Sequence, residues 1–159
     1  MEKLTSKIVA DPELSRIIAR AQFIGKKIVF TNGCFDIIHR GHVEYLIKAA
    51  KLGNMLIVGM NTDSSVKKLK GANRPIQDQE TRSRVLASMY FVNYVVLFNE
   101  DTPYDLIKIV HPDVLVKGGD YKPEDIVGYD IVTKYGGQVT TIPLVKGHST
   151  TAIINKLYK

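Results

Sequence analysis

Ile28-Val29-Phe30-Thr31-Asn32-Gly33-Cys34-Phe35-Asp36-Ile37-Ile38-His39-Arg40-Gly41-His42 joins a short apolar run to a segment with helical spacing. Val43, Leu46, Ile47 and Ala50 recur at the helical interval, and Gly53-Asn54 closes that helix. Met55-Leu56-Ile57-Val58-Gly59-Met60 is then a second apolar run. Strand, helix, strand at this spacing is a βαβ unit, whose crossover is right-handed almost without exception. Two histidines separated by an arginine and a glycine therefore stand where a strand turns into a helix. Helix-opening N–H groups point outward there and carry partial positive charge, which suits anionic phosphates.

The alternation continues to the end of the chain. Val85, Leu86 and Met89 mark a helix, Tyr94–Phe98 a strand, and Leu106, Ile107 and Val110 a helix after Thr102-Pro103. Val114-Leu115-Val116 is a strand, and Val127, Ile131 and Tyr135 form a helix ended by Gly136-Gly137. Residues 139–142 form the fifth strand and residues 149–158 the last helix. Upstream, Asp11-Pro12-Glu13 reads as a helix start, followed by Leu14, Ile17, Ile18 and Ala21 and stopped near Gly25. The expectation is a single doubly wound α/β domain with a five-stranded parallel sheet.

Bulk properties narrow the function. The 159 residues suffice for one core without disulfides, and the single cysteine, Cys34, allows neither a disulfide framework nor a cysteine-rich zinc site. Residues 1–10 lack the apolar core of a signal peptide, and the apolar runs fall short of the roughly 20 residues of a membrane span. The net charge of +6 comes from scattered Lys and Arg with no nucleic-acid motif, so phosphorylated small molecules are the expected partners, not nucleic acid or membrane.

In open parallel sheets ligands bind beyond the carboxyl ends of the strands. Those ends carry Thr31-Asn32-Gly33, Asn61-Thr62-Asp63, Lys117-Gly118-Gly119-Asp120-Tyr121 and Lys146-Gly147-His148-Ser149-Thr150-Thr151, and they converge on one rim. His39 and His42, three apart, can face one ligand, with Gly41 allowing close backbone approach. Phosphate binding is the preferred reading over zinc ligation or packing, since His111 and His148 bring no ligands at zinc spacing. Ser149, Thr150 and Thr151 exceed what one N-cap requires. Arg82, Lys70 and Arg74 are compatible with phosphate contact or with a solvated face. Gly118-Gly119-Asp120 also reads as a plain turn, and Asp36 either meets substrate or orients a backbone amide.

Gly33-Cys34-Phe35-Asp36-Ile37-Ile38-His39-Arg40-Gly41-His42 resembles the G-x-F-D-x-x-H-x-G-H signature of the cytidylyltransferase-like nucleotidyltransferases. Leu69-Lys70-Gly71 with Arg74-Pro75, Glu100-Asp101-Thr102-Pro103, Lys117-Gly118-Gly119-Asp120-Tyr121-Lys122-Pro123-Glu124 and Ser149-Thr150-Thr151 look like the heptose-1-phosphate adenylyltransferase branch. The resemblance implies a Rossmann-like fold over residues 27–159, with residues 1–26 as an N-terminal helical extension. It implies transfer from ATP to D-glycero-D-manno-heptose 1-phosphate, giving ADP-heptose and pyrophosphate for the lipopolysaccharide core, in a cytoplasmic enzyme with Mg²⁺ and no protein metal site, homo-oligomeric with a dimer favoured. Catalysis falls to His39, His42, Lys70 and Arg82. The nucleotide falls to Thr31, Asn32, Gly33, Cys34, Phe35, Gly41, Lys117, Gly118, Gly119, Asp120, Ser149, Thr150 and Thr151. The acceptor falls to Asp36, Asn61 and Arg74. The rivals are glycerol-3-phosphate cytidylyltransferase, a GTP-using heptose-1-phosphate guanylyltransferase, and a catalytically silent nucleotide-binding module.

Overall fold

The computed structural model describes residues 2–119, 121–145, 147 and 150–157. In chain order the elements are α1 (Glu2–Thr5), β1 (Ile8–Val9), α2 (Glu13–Phe23), β2 (Ile28–Gly33), α3 (Arg40–Ala50) and β3 (Met55–Asn61). There follow α4 (Asp63–Lys70), α5 (Gln79–Ser88), β4 (Tyr94–Phe98), α6 (Tyr104–Val110), β5 (Val114–Gly118), a 3₁₀ turn (Pro123–Asp125), α7 (Tyr129–Lys134), β6 (Gln138–Ile142) and α8 (Thr150–Leu157).

All strand pairings are parallel, in the order β1-β4-β3-β2-β5-β6. The doubly wound parallel sheet is as expected, with six strands rather than five. The additional strand, Ile8–Val9, lies on the edge and pairs with Val95 and Val96. Two residues are too few to show a period, which is why the sequence pattern does not reveal it. From β2 the chain winds outward through β3 to β4, then returns to place β5 on the other side of β2. The crevice between β2 and β5 is thus the switch point at which such sheets bind ligands.

Period-two alternation divides the core between the two faces of the sheet. Ile28, Phe30, Met55 and Ile57 pack with Leu14 and Ile18 of α2, Ile107 and Val110 of α6 and Val132 of α7. Val29, Leu56, Val58 and Met60 pack with Tyr45, Leu46 and Ala49 of α3 and Leu86 and Ala87 of α5. Every residue of β3 is buried, as a strand covered on both faces requires.

Local chemistry sets the helix ends. Thr62 and Asp78 cap α4 and α5, their side chains accepting from the N–H groups of Ser65 and Thr81. Asp11 does not cap α2 as its sequence suggests: Pro12 holds the N-cap position, and the Asp11 carboxylate accepts from the Ser15 hydroxyl at 2.8 Å. Val127 falls outside α7 because Gly128, at φ +92°, turns the backbone left-handed immediately before that helix. Between α3 and β3, Gly53 passes so close to the start of β2 that a Cβ would lie 2.6 Å from both the Lys27 carbonyl oxygen and Val29 Cγ2. The next residue, Asn54, accepts from the Lys27 N–H. Gly53→Ala is expected to destabilise the fold by about 1–3 kcal/mol through this overpacking, measured as a lower denaturant midpoint at constant m-value.

Candidate active site

The carboxyl ends of β2, β3, β4 and β5 open onto two adjoining cavities. The larger, about 380 Å³, is floored by Asn32 and Asn61 and walled by Lys70, Asp101, Lys117 and Tyr121 among others. The smaller, about 270 Å³, is lined by Cys34, Phe35, Asp36, His42, Lys70, Arg74 and Thr150. Cys34 and Lys70 line both, so they form the seam where two ligands would meet.

The histidine motif is shaped by backbone as much as by side chains. Phe35 adopts a left-handed φ of +46°, uncommon for a non-glycine residue, and its ring is buried. That ring lies 5.4 Å from the His42 ring, and a Cβ on Gly33 would come within 3.1 Å of it. His39 occupies the N-cap position of α3 and makes no capping bond of its own. The His39 and His42 rings stack at 3.9 Å with 25° between their planes. Burial, and then the neighbouring His39, push His42 down to about 4, against a hydrogen bond with the Ile37 backbone that favours the cation. His42 is therefore a neutral donor at neutral pH, and its Nδ1 is buried with no hydrogen-bond partner.

Two buried charges fix the loops around this pair. Asp36 accepts from Arg74 Nε at 2.5 Å and from the N–H groups of Ile76 at 2.8 Å and Gln77 at 3.0 Å. Burial opposes its ionisation, but the two backbone N–H groups and Arg74 outweigh it and hold the carboxyl below the usual range. Of the two readings open for Asp36, the structure shows the one in which it orients backbone amides. Arg82 likewise does not face the cleft: the residue is 0% exposed. Its Nε donates to the Gln77 carbonyl, Nη1 to the carbonyls of Cys34 and Asn61, and Nη2 to Asp63 at 2.7 Å. With four of its five N–H groups committed to protein acceptors, it is a strut between strand ends rather than a phosphate ligand.

The other expected residues divide in the same way. Thr31 is fully buried, its hydroxyl bonded to Tyr45 Oη at 2.5 Å, and Tyr45 donates on to the Val116 carbonyl. Burial pushes the Tyr45 phenol up to about 12, so it stays a donor. Asn61 Nδ2 donates to Ser65 Oγ, and its Oδ1 lies 3.9 Å from the Cys34 sulfur. Burial pushes the Cys34 thiol up, which leaves it protonated. Lys117 donates to Asn32 Oδ1 at 3.3 Å, and burial lowers its pKa. Gly41 is buried in the first turn of α3, while Gly118 ends β5 and Gly119 turns left-handed at φ +118°. Thr150, opening α8, donates to the Ile37 carbonyl at 3.5 Å. Asp120 and Ser149, with Lys146 and His148, lie outside the described residues, as does the side chain of Thr151. Among the described residues no group of three or more His, Cys, Asp or Glu side chains stands ready to hold a metal ion, and no helix is long and apolar enough to cross a membrane.

Several lining residues escaped the sequence reading as site residues: Leu69, Asp101, Thr102, Asp125 and Ile126. Leu69 lies in the last turn of α4 and the others follow β4 and β5; Leu69, Asp101 and Thr102 fall within stretches that carry the family resemblance, but their side chains have no phosphate-binding chemistry to single them out.

Two measurements test this geometry. The His42 ring should titrate near 4 in ligand-free protein by NMR, and a bound triphosphate should raise that value. Binding then takes up a proton, so affinity for the triphosphate should strengthen as pH falls below neutrality toward 4. Arg82→Ala should cost about 3–5 kcal/mol in denaturant unfolding, because Asp63 and three carbonyls lose a buried cationic partner.

Residues 30–156 match the profile of the cytidylyltransferase-like family. The bifunctional protein HldE of Trichlorobacter lovleyi is 52% identical over 152 residues, which is 96% of this chain and 31% of that protein. The bifunctional protein HldE of Nitratiruptor sp. is 60% identical over 133 residues, 84% of this chain and 28% of that protein. The chain thus spans about a third of the length of the curated relatives it matches. Among solved structures, the lipopolysaccharide core biosynthesis protein from Thermoplasma volcanium superposes with a TM-score of 0.63 at 29% identity, covering 78% of this chain and 100% of that one. Pantoate-beta-alanine ligase from Francisella tularensis, at 16% identity and a TM-score of 0.62 over 95% of this chain and 77% of its own, shares the fold. The match over residues 30–156, a span that includes the histidine loop and both strands of the switch-point crevice, places this chain in the cytidylyltransferase-like family.

Proposed function

We propose that this protein is a sugar-phosphate nucleotidyltransferase that joins ATP to D-glycero-D-manno-heptose 1-phosphate, forming ADP-heptose and pyrophosphate. The observation that carries this reading is the pair of cavities meeting at Cys34 and Lys70, one lined by His42 and the other able to admit a second reactant. The 52–60% identity to HldE proteins and the resemblance to a lipopolysaccharide core biosynthesis protein support the sugar and its destination.

The mechanism follows from charge. A sugar phosphate is already largely a dianion near neutral pH, since its second pKa is about 6. It attacks the α-phosphate without a general base, and pyrophosphate leaves from the opposite side. A P–O bond forms to the acceptor phosphate as the α–β bridging P–O bond breaks. One displacement inverts the α-phosphorus and leaves no covalent enzyme intermediate. The protein must hold two anions in line and stabilise charge on the phosphates. His39, His42 and Thr150 would donate to the triphosphate in the smaller cavity, beside the opening turn of α3. Lys70, at the seam, would bridge the two reacting phosphates. Asn32, Gly33, Lys117 and Gly118 would enclose the nucleotide, and Arg74 and Asn61 would steady the acceptor. Arg82 and Asp36 act through these groups by holding their loops, and are positioning residues.

Mg²⁺ suits this donor set as an ion carried by phosphate oxygens and waters, with few protein ligands. When bound it neutralises charge on those oxygens. Making a sugar nucleotide from ATP suits the cytoplasm. A homo-oligomer, with a dimer favoured, belongs to the same proposal.

Pyrophosphate release should be fastest with ATP and heptose 1-phosphate among combinations of nucleoside triphosphate and phosphorylated acceptor. Turnover confined to CTP with glycerol 3-phosphate would sink the heptose assignment, and release with no combination would favour a silent binding module. His42→Ala should lower kcat by about 10²–10³-fold, the scale of one lost oxyanion donor, while its circular dichroism and melting remain native.

A further inference from the structure

Tyr45 places a hydroxyl where the switch-point crevice begins. β2 and β5 run side by side through Val29 with Val114, Phe30 with Leu115 and Thr31 with Val116. One residue farther on, Lys117 reaches across to Asn32 with its side chain. The Tyr45 hydroxyl meets both members of the last backbone pair. Its oxygen lies 2.5 Å from Thr31 Oγ1 and donates to the Val116 carbonyl at 3.1 Å. A phenol has one proton, so with that proton on Val116 it is Thr31 that donates to Tyr45.

Tyr45 stands on α3, one turn beyond His42. Residues 34–39, which join β2 to α3, form neither helix nor strand, so they do not by themselves set where the helix lies. Leu46 and Ala49 bury the inner face of α3 against the sheet, but apolar contact has no direction and permits sliding. Hydrogen bonds to two strands at once do not. Gly118 lies against the same ring, where a Cβ would come 3.4 Å from Tyr45 Cε2. A phenylalanine would fill this volume equally well. What the hydroxyl adds is placement, since two hydrogen bonds do little more than offset the desolvation of a buried phenol.

We propose that Tyr45 is a positioning residue, whose hydroxyl holds the phosphate-binding turn of α3 in fixed relation to the ends of β2 and β5 that enclose the rest of the nucleotide. The inference rests on the proposed binding of one nucleoside triphosphate across those two halves. A ligand that engages both halves depends on their spacing, whereas a ligand that engages one does not. ATP spans both. Inorganic tripolyphosphate carries only the part that the α3 turn would hold.

The test compares wild type, Tyr45→Phe and Thr31→Val by calorimetry with ATP and with tripolyphosphate at one Mg²⁺ concentration, and by pyrophosphate release. Both substitutions keep the shape of the side chain and remove its hydroxyl, and circular dichroism and melting establish that each variant is folded. Tyr45→Phe should weaken ATP binding about five- to tenfold, the scale of one or two lost hydrogen bonds, and leave tripolyphosphate binding at the wild-type level. Thr31→Val should shift ATP binding in the same direction by less, because the bond to Val116 remains. The kcat/KM for ATP should fall by at least the factor lost in binding. If Tyr45→Phe does not fold, Thr31→Val carries the comparison, and loss of the fold in both would overturn the assignment. Unchanged ATP affinity in the folded variants, equal losses for ATP and tripolyphosphate, or an unchanged kcat/KM would each overturn it as well. So would wild-type protein that binds ATP but not tripolyphosphate, because α3 would then hold no phosphate. The expected binding pattern in protein that releases no pyrophosphate would refute the proposed reaction and leave the inference standing. Wild-type protein that binds no ATP would overturn both.

Discussion

The guanidinium of Arg82 is the point through which the site is held together. It bonds to carbonyls beyond the ends of two neighbouring strands, Cys34 after β2 and Asn61 at the end of β3, and to Asp63 at the start of α4 and Gln77 before α5. Carbonyls at strand ends have no sheet partner, and left unpaired inside a protein each would carry a desolvation penalty. One cation satisfies two of them, the Gln77 carbonyl and a carboxylate together, which fixes how far apart the histidine loop and the end of β3 can lie. Asp36 performs the converse task with opposite charge, collecting two N–H groups and an arginine from the loop at residues 74–77. The two buried charges hold the same loop, Asp36 through the N–H groups of Ile76 and Gln77 and Arg82 through the Gln77 carbonyl.

This frame places a neutral, half-buried His42, stacked on His39, beside a helix opening, where a polyanion would be brought. In the ligand-free protein, burial outweighs the hydrogen bond that favours a charged His42. An arriving triphosphate supplies the negative charge that reverses that balance, so His42 gains donor strength when phosphate is present and not before. Lys70 at the seam remains available for the reacting phosphates, because the structural work falls to Arg82 and Arg74.

The sheet's direction, its parallel pairing and the rim that carries the histidine loop were legible in the sequence because they rest on periodicity and on turn residues at strand ends. Helix α5 was legible in place but not in meaning. Its buried face includes Arg82 and Ser83 beside Leu86 and Ala87, so polarity does not mark which side faces inward. The role of Arg82 depends on carbonyls more than twenty positions upstream, and nothing in its neighbours announces them. Helix α4 was missed for a related reason: Ser65 and Val66 are its buried residues, too small an apolar stripe to show a period. Asp101 and Asp125 stand on opposite flanks of a cavity only because β5 pairs with β2 rather than with β4, and that order is a property of the assembled sheet.

The edge strand β1 has a consequence for how the chain acquires this form. Its pairing joins Ile8 and Val9 to Val95 and Val96, across most of the first hundred residues, for the return of a two-residue ladder. Closing so long a loop for so short a pairing is entropically unfavourable until the inner strands stand ready to receive it. The pairing of the first strand in sequence therefore depends on β4 already standing in the sheet. Until then the outer side of β4 presents unpaired backbone groups on a valine-rich strand, which makes that edge the place where a partly folded chain is open to pairing with another.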